Sequence, residues 1–157
     1  MEVDQGLLRD EINNVRKSIW TIRENIQEDY DFGLLFVDCR PFKYELLEHC
    51  LKIESHLEEY VKSDFSEKIK NIQSEIATVT GRLNEKVSSI DDVIQLLTYI
   101  DTLKRQDNKV EEIREMIDPA LKEHMDYIES LKIMFEDDMY HTYLTIRNWP
   151  RTFNSFI

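Results

Sequence analysis

The residues of this chain best suited to chemistry are four histidines, two cysteines and one acidic run, and their spacing limits what they can do. Asp138-Met-Tyr-His141 is a lone D-x-x-H. A di-iron bundle needs two Glu-x-x-His pairs and two further Glu. None of His49, His56, His124 and His141 has a Glu three residues before it. His49 and Cys50 are sequence neighbours, and neighbours on a helix point about 100° apart, a poor arrangement for a thiol–imidazole pair. Glu136-Asp137-Asp138 suits the opening turn of a helix, where the macrodipole favours negative charge. There is no G-x-x-x-x-G-K-[ST] and no H-E-x-x-H. Gly6, Gly33 and Gly81 are too scattered to cradle a phosphate. We assign no catalytic residue, no cofactor-binding residue, no cofactor and no metal ligand, and read the chain as not an enzyme.

Composition narrows the classes further. The chain has 157 residues, a length that suits one domain. Gly and Pro number three each, too few for the turns of an all-β fold. With 32 acidic and 20 basic residues the net charge is −12. Such a chain repels phosphate, so nucleic acid and anionic membrane are excluded as partners, and no small-molecule substrate is expected. Cys39 and Cys50 form no C-x-x-C, which fits a reducing, cytoplasmic compartment. No apolar run approaches the ~20 residues that span a bilayer. Glu2 and Asp4 make the start unlike a signal or transit peptide.

The elements expected are helical. Leu8, Ile12, Val15, Ile19, Ile22 and Ile26 alternate 4 and 3 apart, predicting a first helix over about 1–28 that wants a partner along its length. Trp20 lies beside that stripe, suited to core-edge packing or to anchoring a partner. Residues 29–41 read as a loop or short extended piece packed against the bundle, with Pro41 opening the next helix. A long helix over 42–87 carries two stripes, Leu46-Cys50-Ile53-Leu57-Tyr60 and Phe65-Ile69-Ile72-Ile76-Val79-Leu83. Between them the register slips at Ser63–Asp64, and one helix can absorb the slip as a stutter. Ser89-Ile90-Asp91-Asp92 resembles a capping box with Asp in place of Glu. It opens a helix over 89–131 whose apolar positions are Val93, Leu97, Ile100 and Leu103, then Val110, Ile113, Ile117, Leu121, Met125, Ile128 and Leu131. Asp101 and Arg105 are spaced as an i,i+4 pair, residues 106–109 are polar, and Pro119 predicts a kink or a restart capped by Asp118. Residues 136–157 read as a helix, or a bent aromatic segment, through Tyr140, Tyr143 and Ile146 with a bend at Pro150. Its apolar tail (Trp149, Phe153, Phe156) needs a covering surface, as in a piece of a longer chain. The fold class expected is all-α: a single segment over 1–157, an elongated bundle of a few long helices with coiled-coil-like packing.

Two stretches carry a family resemblance. In Ile90 to Trp149, Asp92, Val93, Leu97, Ile100, Leu103, Lys104 and Arg105 are followed by a long helical stretch, then Trp149 and Phe153. FGLLFVDCRPFKYELLEHC, Phe32 to Cys50, looks like a "G-L-F-x-V-(D/N)" lead-in to a long helix. In this order they resemble the stem of a dynein heavy chain, just before the linker that joins stem to motor ring, in a style closer to axonemal chains. Trp149 is followed directly by Pro150, a departure from the family's pattern. The resemblance covers about 30–157. It implies a non-catalytic strut that transmits force in microtubule-based movement, the ATPase modules lying elsewhere in the heavy chain. It implies neighbouring heavy-chain segments as partners, with other dynein subunits or a second heavy chain beside them, and a place on the cytoskeleton of a cilium or axoneme. Pro119 and the Ser63 region would be its places to bend. The other reading of the same heptads is a free-standing helical adaptor or coiled-coil scaffold, spectrin-like in style; it predicts neither TYIDTLKR nor the apolar tail.

Overall fold

The computed structural model describes residues 5–103 and 109–156, the side chains of 154–156 excepted. Glu2, Asp4, Lys104, Arg105 and with it the Asp101–Arg105 pair, residues 106–108 and the side chain of Phe156 lie outside the described set. The described residues are mostly helical: α1 (Gln5–Asn25), a hairpin of β1 (Asp29–Asp31) and β2 (Phe36–Asp38), α2 (Arg40–Leu83), α3 (Ile90–Leu103), α4 (Lys109–Glu115), α5 (Lys122–Ser130) and α6 (Asp137–Phe156). The chain divides into two compact units, Met1–Val61 and Lys62–Ile157.

In the first unit, the α1 stripe turns inward. Ile12 and Ile19 are buried, and Leu8, Val15, Ile22 and Ile26 are half-buried. Trp20 is 61% exposed, so core-edge packing does not hold for it. The inward row of α2 differs from the predicted one: Ile53 and Tyr60 are exposed, while Cys50, Glu54, Leu57 and Glu58 are half-buried and Val61 is buried. Glutamates can occupy that row because Arg16 reaches across from α1, its Nε donating to Glu54 Oε1 at 2.7 Å and an Nη to Glu58 Oε1 at 2.8 Å. Lys43 Nζ donates to the Arg23 carbonyl at 3.1 Å, satisfying one of the open acceptors at the α1 C-terminus. Val61 rather than Tyr60 faces in, and α2 runs 44 residues with no break at Ser63.

In the second unit, Phe65, Ile69, Ile72 and Val79 of α2 are buried, as is the whole predicted row from Val110 to Leu131. Pro119 divides that row. Asp118 is extended (φ −123°, ψ 115°) inside a π-type turn at Met116–Leu121, the Asp118–Pro119 peptide is cis, and α4 and α5 lie either side. Extended backbone is what a residue preceding proline prefers. Lys132 takes a left-handed conformation (φ 56°) after α5, between buried Leu131 and Ile133. α6 opens on Asp137 and Asp138 and, against expectation, continues through Pro150. The Trp149 and Phe153 rings meet across the proline at 4.8 Å, and Ile146 and Phe153 are buried, which holds the last turns in helical register.

α3 is capped reciprocally. Asp92 N donates to Ser89 Oγ at 3.1 Å, while Asp92 Oδ2 accepts from Ser89 N at 2.9 Å and from Ser88 N at 3.0 Å. Those bonds, led by the one from the Ser88 backbone, hold the Asp92 carboxyl below its ordinary range. Of the row predicted for α3, Leu103 is buried and Ile100 half-buried. Arg82 of α2 lies over the Tyr99 ring at 4.3 Å, Leu96 and Tyr99 turn in, and Val93 and Leu97 are exposed. Ser89→Ala removes one half of the cap and should cost about 1 kcal/mol of helix stability. Amide hydrogen exchange should quicken in the first turn of α3; an unchanged exchange rate at Asp92 would refute the cap.

Candidate interaction surface

The chemistry-bearing residues do not converge. His49 is exposed beside half-buried Cys50, and Asp138 and His141 are exposed on α6. Among the described residues, no three of His, Cys, Asp or Glu come together to hold a metal ion, and no helix is long and apolar enough to cross a membrane. Cys39 and Cys50 are free thiols.

One histidine that the sequence does not single out sits in the second unit's core. His124 of α5 is 3% exposed. Its ring stacks on Phe65 at 5.3 Å and meets Tyr127 edge-on at 6.0 Å. Phe65 in turn packs against Phe135 at 5.2 Å and Tyr143 at 6.1 Å, so one aromatic cluster joins α2, α5 and α6. Lys68 Nζ is 3.0 Å from His124 Nδ1 and 3.0 Å from Asp64 Oδ2, which is 3.5 Å from His124 Nε2. An ammonium can only donate, so Nδ1 accepts and the neutral ring carries its proton on Nε2, towards Asp64. Burial first, then the Lys68 charge, push the His124 pKa below its ordinary 6.5, against the pull of Asp64. At this burial the triad reads as a polar fastening between α2 and α5. A buried His is not visible as such in the sequence, because position 124 falls just outside the apolar stripe, one residue before Met125.

A cleft of about 500 Å³ in the second unit is lined by Arg114, Arg147 and Arg151, with Asp118 among them. Arg114 is held by Glu111 at 2.7 Å. This local excess of positive charge faces an acidic chain.

The exposed apolar surface is the feature of the first unit that core packing does not account for. The 29–41 stretch was expected to pack down; instead it forms a hairpin that stands in solvent, with Asp29 opposite Asp38, Tyr30 opposite Val37 and Asp31 opposite Phe36. Gly33, at φ +80°, turns the chain in a conformation that costs glycine little, and its N–H donates to Asp31 Oδ1 at 2.8 Å. Phe32 N donates to the Leu35 carbonyl at 2.8 Å, closing the loop, and Cys39 N donates to the Glu28 carbonyl at 2.8 Å, extending the ladder. These bonds place the apolar side chains outward: Leu34 is 101% exposed, Phe32 69% and Leu35 68%. The first half of α3 is open too, through Ile90, Ile94 and Leu97. The sequence marks both stretches as apolar, but apolarity alone does not say whether the covering surface lies within the chain. The chain matches no protein-family model, and no curated protein matches it.

The histidine generates a pH dependence with a definite sign. Its folded pKa is lowered, so the unfolded chain takes the proton first as pH falls. Its contribution is complete above pH 6.5 and is lost below it, until the folded pKa is passed, at no more than about 1.4 kcal/mol per pH unit. Urea midpoints measured from pH 7 to 5 should fall more steeply for the parent protein than for His124→Gln. Parallel curves would show that the ring titrates normally.

Proposed function

We propose that this chain is a non-catalytic structural and force-transmitting segment of a dynein heavy-chain stem, close to the linker and of the axonemal kind, acting in microtubule-based movement on the cytoskeleton of a cilium. The observation that carries the reading is the ordered conjunction of FGLLFVDC, TYIDTLKR and Trp149 with Phe153. The first lies on a hairpin leading into α2, Thr98–Leu103 of the second close the capped α3, and Trp149 and Phe153 lie on α6 with their rings 4.8 Å apart. The mostly helical fold is compatible with a strut. A helix is hydrogen-bonded along its axis and resists extension in that direction, and the 44-residue α2 is the element best suited to carry load. The finer architecture, helices paired along coiled-coil-like seams in an elongated bundle, belongs to this proposal, as does a bending point at Pro119. The ATPase modules and the microtubule-binding site would lie elsewhere in the heavy chain. The partners would be neighbouring heavy-chain segments, and beyond them other dynein subunits or a second heavy chain.

An antibody raised against residues 1–157 tests this on a lysate of the source cell. The expected immunoblot band lies at many hundreds of kilodaltons and is lost on knockdown of the transcript. A specific band near 18.9 kDa would overturn the dynein reading in favour of a free-standing helical scaffold.

A further inference from the structure

The most apolar run of the chain, FGLLFV, lies on a surface and contributes nothing to a core. With roughly 200 Å² per aromatic side chain, Tyr30 and Phe32 alone leave on the order of 200 Å² open, and Leu34, Leu35 and Val37 extend it to a few hundred. That is the size at which apolar surface on a monomer marks an interaction site. The hairpin is also two-faced. Residues two apart share a face, and directly opposed residues share one too. Tyr30, Phe32 and Val37 therefore lie on one side, with the Tyr30 and Phe32 rings stacked 6.2 Å apart and within 8° of parallel. Asp29, Asp31 and Asp38 lie on the other with Phe36.

The charge around this patch is negative on balance, with Glu28, Asp29, Asp31 and Asp38 against Arg40 and Lys43. Arg40 is committed to Asp38, with Nε to Oδ1 and an Nη to Oδ2 both at 2.9 Å. Lys43 points its ammonium at the Arg23 carbonyl. Glu28, Asp29 and Asp31 thus leave a negative rim beside an apolar face. A second copy of this chain, with the same rim and a net charge of −12, would meet it with like charge. An anionic bilayer or a nucleic acid would be repelled in the same way. The complementary surface is apolar with Lys or Arg at its border.

We infer that the 29–38 hairpin is a docking element for a protein partner whose apolar groove is edged by basic residues. Phe32, Leu34 and Leu35 enter the groove, and Glu28, Asp29 and Asp31 meet its rim. The inference stands on the first unit alone and does not depend on the dynein reading.

The test uses the full chain and two synthetic amphipathic helices of equal length, one with a leucine face bordered by lysine, the other with the same face bordered by glutamate. Titration calorimetry should show binding of the lysine peptide, weaker at higher salt, and none of the glutamate peptide. Leu34→Ser with Leu35→Ser keeps the net charge and alters only exposed positions; with an unchanged helical circular dichroism spectrum, it should weaken binding at least tenfold. Glu28→Gln with Asp29→Asn should weaken it several-fold. Equal binding of the lysine peptide by parent and Leu34→Ser/Leu35→Ser protein would reduce the effect to bulk attraction and overturn the proposal. So would a parent protein that binds neither peptide. Sedimentation showing a dimer that this double variant dissociates, or flotation of the parent with phosphatidylserine vesicles, would assign the face to another occupant and equally overturn it.

Discussion

The packing of each unit rests on a row of inward-facing α2 residues. From Cys50 through Glu54, Leu57 and Glu58 to Val61 it faces the first unit; from Phe65 through Ile69 and Ile72 to Val79 it faces the second. Its two halves have different chemistry. The first is half-buried and mixed, and it tolerates two glutamates because one guanidinium satisfies both. A fork of donors suits this better than a lysine's point charge would. The second half is aromatic and aliphatic, closed by the contacts of Phe65 with His124, Phe135 and Tyr143.

Much of the helical pattern was legible in the residues. The α1 stripe, the Ser89–Asp92 cap and the row from Val110 to Leu131 lie where spacing and capping chemistry place them, because each is decided locally. What was misread depends on partners distant in sequence. Tyr60 and Ile53 are apolar and their spacing points them inward, whereas Glu54 and Glu58 take that side because Arg16 is opposite. Val93 and Leu97 share the spacing of half-buried Ile100 and buried Leu103 yet stay exposed, while Leu96 and Tyr99 turn in and Arg82 lies over the Tyr99 ring. Pro150 carries a strong local signal for a bend, yet α6 continues through it, with the tilted rings of Trp149 and Phe153 4.8 Å apart. The hairpin has the composition of a core segment and the bonding of a self-contained turn, and the bonding decides its place.

The surface features show the same separation. No arrangement of nucleophile, base and orienting group was legible in the sequence, and the histidine that the fold does bury is engaged with Lys68 and Asp64 rather than aimed into a cavity. The open apolar area is on the hairpin and on the first half of α3. A small unit that leaves its most apolar run outside forgoes burial worth roughly 25 cal/mol per Å², and recovers it only where something covers that run.

The contrast between the two halves of the α2 row has a consequence for how the protein answers its solvent. Dissolved ions weaken attraction between partly exposed charges, so sodium chloride acts against the Arg16–Glu54–Glu58 contact. Sulfate and sugars, excluded from protein surfaces, favour burial of apolar area and so act in support of the Phe65 cluster. A single salt such as ammonium sulfate therefore pulls on one helix in two senses at once, slackening one end of its inward row while tightening the other.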